Sequence, residues 1–156
     1  MADVALTHAP QHRRYSLRFN PQADAPAAPA GLGEAVVQGD RIALGLGPDE
    51  WLILGPASGA ALPAPQIAAA FSWVDVSHRQ IGLILSGPDV ETVLNLACPR
   101  DLCLTAFPVG ACSRTVMGKA EVVLWRKSAT QFHIEVWRSF ADYVEALITA
   151  GAGETL

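Results

Sequence analysis

Charge is what this sequence has least of. Asp, Glu, Lys and Arg make up 17% of its 156 residues, against about 25% in an ordinary globular chain. Apolar residues reach 51%, although much of that share is alanine. Four Trp and so few charges leave little with which to coat a free monomer, so part of the surface is expected to lie against a partner subunit. The same composition allows the isolated chain to self-associate. Basic residues are scarcer than acidic ones, and the net charge is −4. Nucleic-acid binding needs a basic face that displaces counterions from phosphate, and this balance speaks against it. Arg13, Arg14 and Arg18 are the one dense basic cluster, read as part of a solvated tail.

Cysteine is nearly absent. Cys98, Cys103 and Cys112 are an odd number and contain no C-x-x-C pair, so neither a disulfide framework nor a zinc site is indicated. Idle thiols suit a reducing compartment. The N-terminus lacks a basic-then-apolar leader pattern, and no apolar run approaches the ~20 residues of a membrane span. A cytoplasmic protein with no membrane partner is expected.

What is present reads as one domain with an arm. Residues 1–33 are read as a flexible tail followed by a Pro/Ala-rich stretch, "NPQADAPAAPAGLG" at 20–33. Residues 34–151 are read as a single domain, and 152–156 as a C-terminal tail. "RIALGLG" and "EWLILG" flank Gly47-Pro48-Asp49, which is turn chemistry and predicts a hairpin. Two prolines then alanines at 63–71 predict a short helix opening near Pro65. "WVDVS" alternates as a strand should, and "QIGLILSG" is continuously apolar like an interior strand. Pro88, Asp89 and Glu91 suit a helix start, with Val90, Val93, Leu94 and Ala97 on one face and Pro99 beyond.

Residues 101–110 read as a loop. Strands are predicted around 113–117, at "AEVVLWR" and at "QFHIEVW". The last helix carries Phe140, Tyr143, Val144, Leu147 and Ile148 on one face. Ser139 and Asp142 resemble a capping box, and Gly151 is read as its end. The order is β-β-α-β, then β-α-β-β-β-α. It predicts an α+β fold of two ferredoxin-like-related halves, with antiparallel or mixed sheets and helices packed on them. Gly-Pro-Asp occurs at 47–49 and again at 87–89, a weak sign of duplication.

The candidate chemistry is thin. Asp75, Ser77 and His78 supply the groups of a hydrolase triad, but alternation puts Asp75 and Ser77 on one strand face and His78 on the other. Hydrogen bonding and ion pairing of Asp75, Ser77 and Arg79 at a strand end is the better reading. Both G-x-G segments, at 31–33 and 45–47, lack a third glycine, and the second leads into a strand rather than a helix N-terminus. His8 and His12 lie near no helix signal, and no metal set is indicated. His133 and Glu135 share one face of a strand, read as half-solvated. Arg79, Arg114, Lys119, Arg126 and Arg138 fall at strand ends, where a shared edge could receive an anion or an acidic partner.

In order and spacing, "GPDEWLILG", "VDVSHRQIGLILSGPDV", "CPRDL", "FPVGACSRT", "VLWR" and "WRSFADYVEAL" resemble the gamma subunit of heterotetrameric sarcosine oxidase, over residues 47–151. The resemblance implies a fold related to the folate-binding glycine-cleavage T-protein. It implies a non-catalytic subunit in a bacterial, cytoplasmic complex that demethylates sarcosine to glycine. The partners would be alpha, beta and delta subunits. FAD, FMN, NAD, folate and zinc would reside in those partners, with none bound by this chain. No catalytic residue or metal ligand is carried over. His78, Arg79, Arg114 and Arg138 are the expected polar partner contacts. The rival reading is a free-standing folate-binding or aminomethyl-transfer protein, with Glu121 or Glu135 holding the pterin.

Overall fold

Alternating apolar residues dominate the chain, and ten strands form among the described residues. The structure, a computed structural model, describes residues 1–21 and 28–154. The strands are β1 (Ala5–His8), β2 (His12–Phe19), β3 (Ala35–Gln38), β4 (Arg41–Gly47), β5 (Glu50–Pro56), β6 (Phe71–Asp75), β7 (Gln80–Ser86), β8 (Cys112–Met117), β9 (Ala120–Ser128) and β10 (Gln131–Trp137). Helix α1 (Val90–Asn95) follows β7, and α2 (Ala141–Glu154) follows a 3₁₀ turn at Arg138–Phe140. The α+β class stands, with all strand pairs antiparallel.

The chain forms two compact units, one of Met1–Pro10 with Arg79–Leu156 and one of Gln11–His78. The stretch 34–151, expected as a single domain, spans parts of both units, and a boundary between them falls where β6 leads to β7.

In the first unit the sheet order is β1-β7-β10-β9-β8. Period-two positions Leu83, Leu85, Val122, Leu124, Phe132, Ile134 and Val136 point to one face. There they form a buried cluster with Val90, Val93 and Leu94 of α1 and Val144 and Ile148 of α2. Each such side chain contributes roughly 1.5–3 kcal/mol when fully buried. The predicted order of this half is observed, and β1 is added at its edge. Two details differ. Ser139 lies inside the 3₁₀ turn, and the residue before that turn, Trp137, makes no side-chain cap bond. Helix α2 also runs through Gly151 to Glu154, so most of the expected tail is helical. A Cβ on Gly151 would sit 3.2 Å from Leu96 and 3.7 Å from Val93. The glycine gives the α1 region its close seat against α2 rather than ending the helix.

In the second unit the order is β3-β4-β5-β2-β6. Tyr15, Leu17, Phe19, Trp51 and Ile53 share a buried face. Phe19 stacks on Trp51 at 4.7 Å, and the Trp51 indole donates to the Ala30 carbonyl at 2.8 Å. The β4–β5 hairpin forms where Gly47-Pro48-Asp49 predicts it. The expected helix near Pro65 is absent: residues 61–70 hold no helix. Pro63 and Pro65 remove two amide donors from a run too short to compensate, and Leu62 and Ile67 instead pack from irregular chain onto the cluster.

The expected tail also needs correction. "HRRYSLRF" is β2, alternating Tyr15, Leu17 and Phe19 inward between polar residues. It is an interior strand, hydrogen-bonded to β5 and β6. Arg14, read as solvated, is 5% exposed. Of the Pro/Ala-rich arm, residues 22–27 lie outside the described residues, as do 155–156 of the C-terminal tail.

Candidate functional site

The Asp75–Ser77 cluster resolves into a turn that closes β6 onto β2. Asp75 Oδ1 accepts the Ser77 hydroxyl at 2.6 Å and the Ser77 amide at 2.9 Å. Ser77 Oγ in turn accepts the Arg14 amide at 2.9 Å, and the Val76 amide donates to the Arg14 carbonyl at 2.8 Å. The Ser77 hydroxyl, then its amide, hold the Asp75 carboxyl below the usual aspartate range. Ser77 thus gives its proton to a carboxylate and takes one from the backbone. That arrangement locks a strand end and does not activate an oxygen for attack.

His133 and Glu135 are not half-solvated. Both are buried, and His133 Nε2 lies 2.7 Å from Glu135 Oε1. The correction has a simple cause. β10 is the central strand of its sheet, and Phe132 through Val136 are buried without interruption. Alternation of polar and apolar residues cannot tell a solvated face from a buried, paired one. The Trp125 ring lies tilted 5.8 Å from the imidazole. The β7 residue opposite Glu135 is Gly82, whose missing side chain makes room for the pair. At 1% and 0% exposure the two groups are hydrogen-bonded to each other out of reach of solutes.

The strand-end cations divide. Arg126 is fully buried, donating to the Ala129 carbonyl at 2.8 Å, to Glu91 Oε1 at 2.9 Å and to the Leu102 carbonyl. It also lies over the Phe132 ring at 4.4 Å. It anchors α1 and the following loop to the sheet and is not part of a surface site. Arg79 and Arg138 are brought together where β7 begins and β10 ends. The Arg138 amide donates to the Arg79 carbonyl at 2.9 Å, and the Arg79 guanidinium lies 5.4 Å from the centre of the Trp137 ring. Lys119 is at the same end of the sheet, in the β8–β9 turn, its amide donating to the Tyr143 hydroxyl at 3.3 Å. Arg114 lies apart along edge strand β8, 3.7 Å from Glu121. His78 is exposed and belongs to the other unit.

His8 pairs with Glu145 at 3.1 Å, while His12 opens β2 in the other unit, so their four-residue spacing carries no ligand geometry. Among the described residues no three His, Cys, Asp or Glu side chains gather as a metal site would require.

One site escaped the sequence reading. In the Gln11–His78 unit a half-open cavity of about 160 Å³ is walled by Leu17, Val36, Ile53 and Trp73. Gln38 and Arg41, which pair across the β3–β4 turn, stand at it as its polar members. Trp73 is held from behind by Tyr15, the rings stacked at 4.5 Å and 8°. The signal was present in "QGDR", a turn between apolar runs that ends in a cation. Nothing in the sequence places Trp73, more than thirty residues later, beside it.

Comparison with known proteins gives consistent likenesses. Residues 25–154 match the model of the sarcosine oxidase, gamma subunit family. The sarcosine oxidase subunit gamma of Corynebacterium sp. (strain P-1) is 35% identical over 117 residues, 72% of this chain and 57% of that one. Its counterpart from Arthrobacter sp. is 34% identical over 118 residues, 73% of this chain and 54% of the relative. The chain therefore matches little more than half the length of these curated relatives. Among solved structures, a chain of the heterotetrameric sarcosine oxidase from Corynebacterium sp. U-96, in complex with pyrrole 2-carboxylate, superposes with a TM-score of 0.82 at 23% identity. That match covers 97% of this chain and 84% of the other. The glycine cleavage system aminomethyltransferase T from Bartonella henselae gives a TM-score of 0.63 at 12% identity, over 94% of this chain and 45% of that one. The fold is T-protein-like.

Proposed function

Because the chain belongs to the sarcosine oxidase gamma subunit family, we propose that it is the structural, non-catalytic subunit of a cytoplasmic heterotetrameric sarcosine oxidase, docked against alpha, beta and delta subunits. In this reading the complex oxidises sarcosine to glycine, forms hydrogen peroxide, and passes the one-carbon unit to tetrahydrofolate or releases it as formaldehyde. FAD, FMN, NAD, folate and zinc belong to the larger subunits. The family match over residues 25–154 carries the reading. The polar geometry supports it: Ser77 holds a strand end, His133 and Glu135 satisfy each other in the interior, and Arg126 fastens a helix. Arg79, Arg114 and Arg138, with His78, are proposed as exposed polar contacts to the partners.

The experiment is reconstitution of the complex with this chain carrying Ser77→Ala or Arg79→Ala. Assembled complexes should keep their turnover number. A large loss of turnover in a fully assembled complex would show that the chain takes part in chemistry.

The likeness to an aminomethyltransferase favours a second reading, a folate-binding protein acting alone. Two features weigh against it. The cavity of about 160 Å³ is well below the roughly 300 Å³ at which small-molecule pockets begin. Glu135 is committed to His133, and Glu121 is a surface partner of Arg114. Calorimetric titration of the isolated chain with tetrahydrofolate decides: micromolar binding would restore this reading.

A further inference from the structure

The cavity walled by Leu17, Val36, Ile53 and Trp73 is too small for a cofactor but is sized for one side chain. Its walls are apolar, and its aromatic member is fixed by stacking on Tyr15. Pro63 and Pro65 also line it, and their fixed φ angles make that margin stiff before anything binds. A preformed apolar recess of this kind receives an anchor residue at little entropic cost. Arg41 at this recess is exposed and has no hydrogen-bond or ion-pair partner among the described residues, although Asp40 precedes it. A guanidinium unpaired among the described residues stands out on a chain of net charge −4. Beside an apolar recess it selects a carboxylate, which it can bind in bidentate fashion.

We propose that this recess is an anchor site for a partner polypeptide, taking one aromatic or branched apolar side chain while Arg41 holds an adjacent Asp or Glu. The proposal rests on the reading of the chain as a docked subunit. It adds where on the second unit one partner is gripped and by what chemistry.

The test uses the full chain in its reconstituted complex. Gln38→p-benzoylphenylalanine places a photo-crosslinker at the recess, and mass spectrometry locates the residue it captures. The expected capture is a partner-subunit segment with an apolar residue next to Asp or Glu. Arg41→Glu should weaken assembly by up to about fivefold, the scale of one partly exposed ion pair. The melting temperature of the isolated chain should stay unchanged, because the Arg41 side chain is exposed and makes no bond among the described residues. If the unsubstituted chain fails to assemble at all, the docked-subunit reading falls and this site with it. If it assembles but the crosslinker captures no partner chain, or Arg41→Glu assembles as well as the unsubstituted chain, the anchor site is wrong and the docked-subunit reading survives.

Discussion

The chemistry-bearing side chains of this protein are mostly bonded to one another, so substitutions at them should register as stability before activity. Gly82 shows this through its neighbours. A Cβ there would meet Ala9 Cβ at 2.9 Å, Glu135 Oε1 at 3.0 Å and His133 Nε2 at 3.1 Å. His133 and Glu135 are buried and cannot both withdraw. Gly82→Ala should cost roughly 1–3 kcal/mol, the range for overpacking. Urea denaturation measures it, and a neutral result would mean that the His133–Glu135 pair yields easily. At Asp75 the prediction concerns pH. The Ser77 hydroxyl and amide depress the Asp75 carboxyl pKa in the folded state. A depressed carboxylate adds stability above its unfolded value of about 3.9 and loses it as pH falls through the folded value. Ser77→Ala should therefore move the Asp75 titration up toward the ordinary value and remove part of the stability seen at neutral pH. Carbon-detected NMR titration of the carboxyl reads the shift directly, and an unmoved midpoint would show that Ser77 is not its cause.

The elements were legible where packing demands a single periodicity. β6, β7, β9 and β10, the hairpin at Gly47-Pro48-Asp49 and the apolar face of α1 follow from apolar spacing and turn residues alone, whereas on the last helix Val144, Leu147 and Ile148 face the core and the expected Phe140 and Tyr143 are exposed. The rest was hidden for physical reasons. β2 carries three arginines, and nothing local says that its alternate residues Tyr15, Leu17 and Phe19 are covered. Gly151 looks like a helix end until the residues it touches, Leu96 and Val93, are known. The His133–Glu135 pair reads as solvated because burial comes from strand order, which only tertiary structure decides. β1 is the clearest lesson. Four residues are too few to announce themselves, yet they pair with β7 over their whole length, Ala5 to Ser86 through His8 to Leu83. Removing residues 1–9 should turn β7 into an exposed apolar edge, lower the melting temperature and raise light scattering on warming. A truncated chain as stable and as soluble as the full one would make β1 dispensable.

For the whole molecule, the low charge noted at the outset becomes a statement about edges. Each sheet is an open ribbon, and its outer strands carry exposed apolar side chains: Val116 on β8, Val37 on β3, and both Phe71 and Val74 on β6. Of these, β6 offers the most. It has no buried residue, and Phe71 and Val74 are 40% and 49% exposed. Among the described residues its outer backbone groups have no neighbouring strand to pair with. Such an edge is a template for another strand unless a partner covers it or charge blunts it, and the one charge on β6, Asp75, is already bonded to Ser77. The isolated chain should therefore associate with itself through β6, giving a sedimentation coefficient that rises with concentration. Val74→Lys places a charge on the strand where the side chain is half exposed, so it should suppress that rise without lowering the melting temperature. Val116→Lys, on an edge with one exposed apolar residue rather than two, should suppress it less. A chain that sediments as a monomer at every concentration would mean that β6 is protected by its own twist and shortness, and that its apolar face needs no partner.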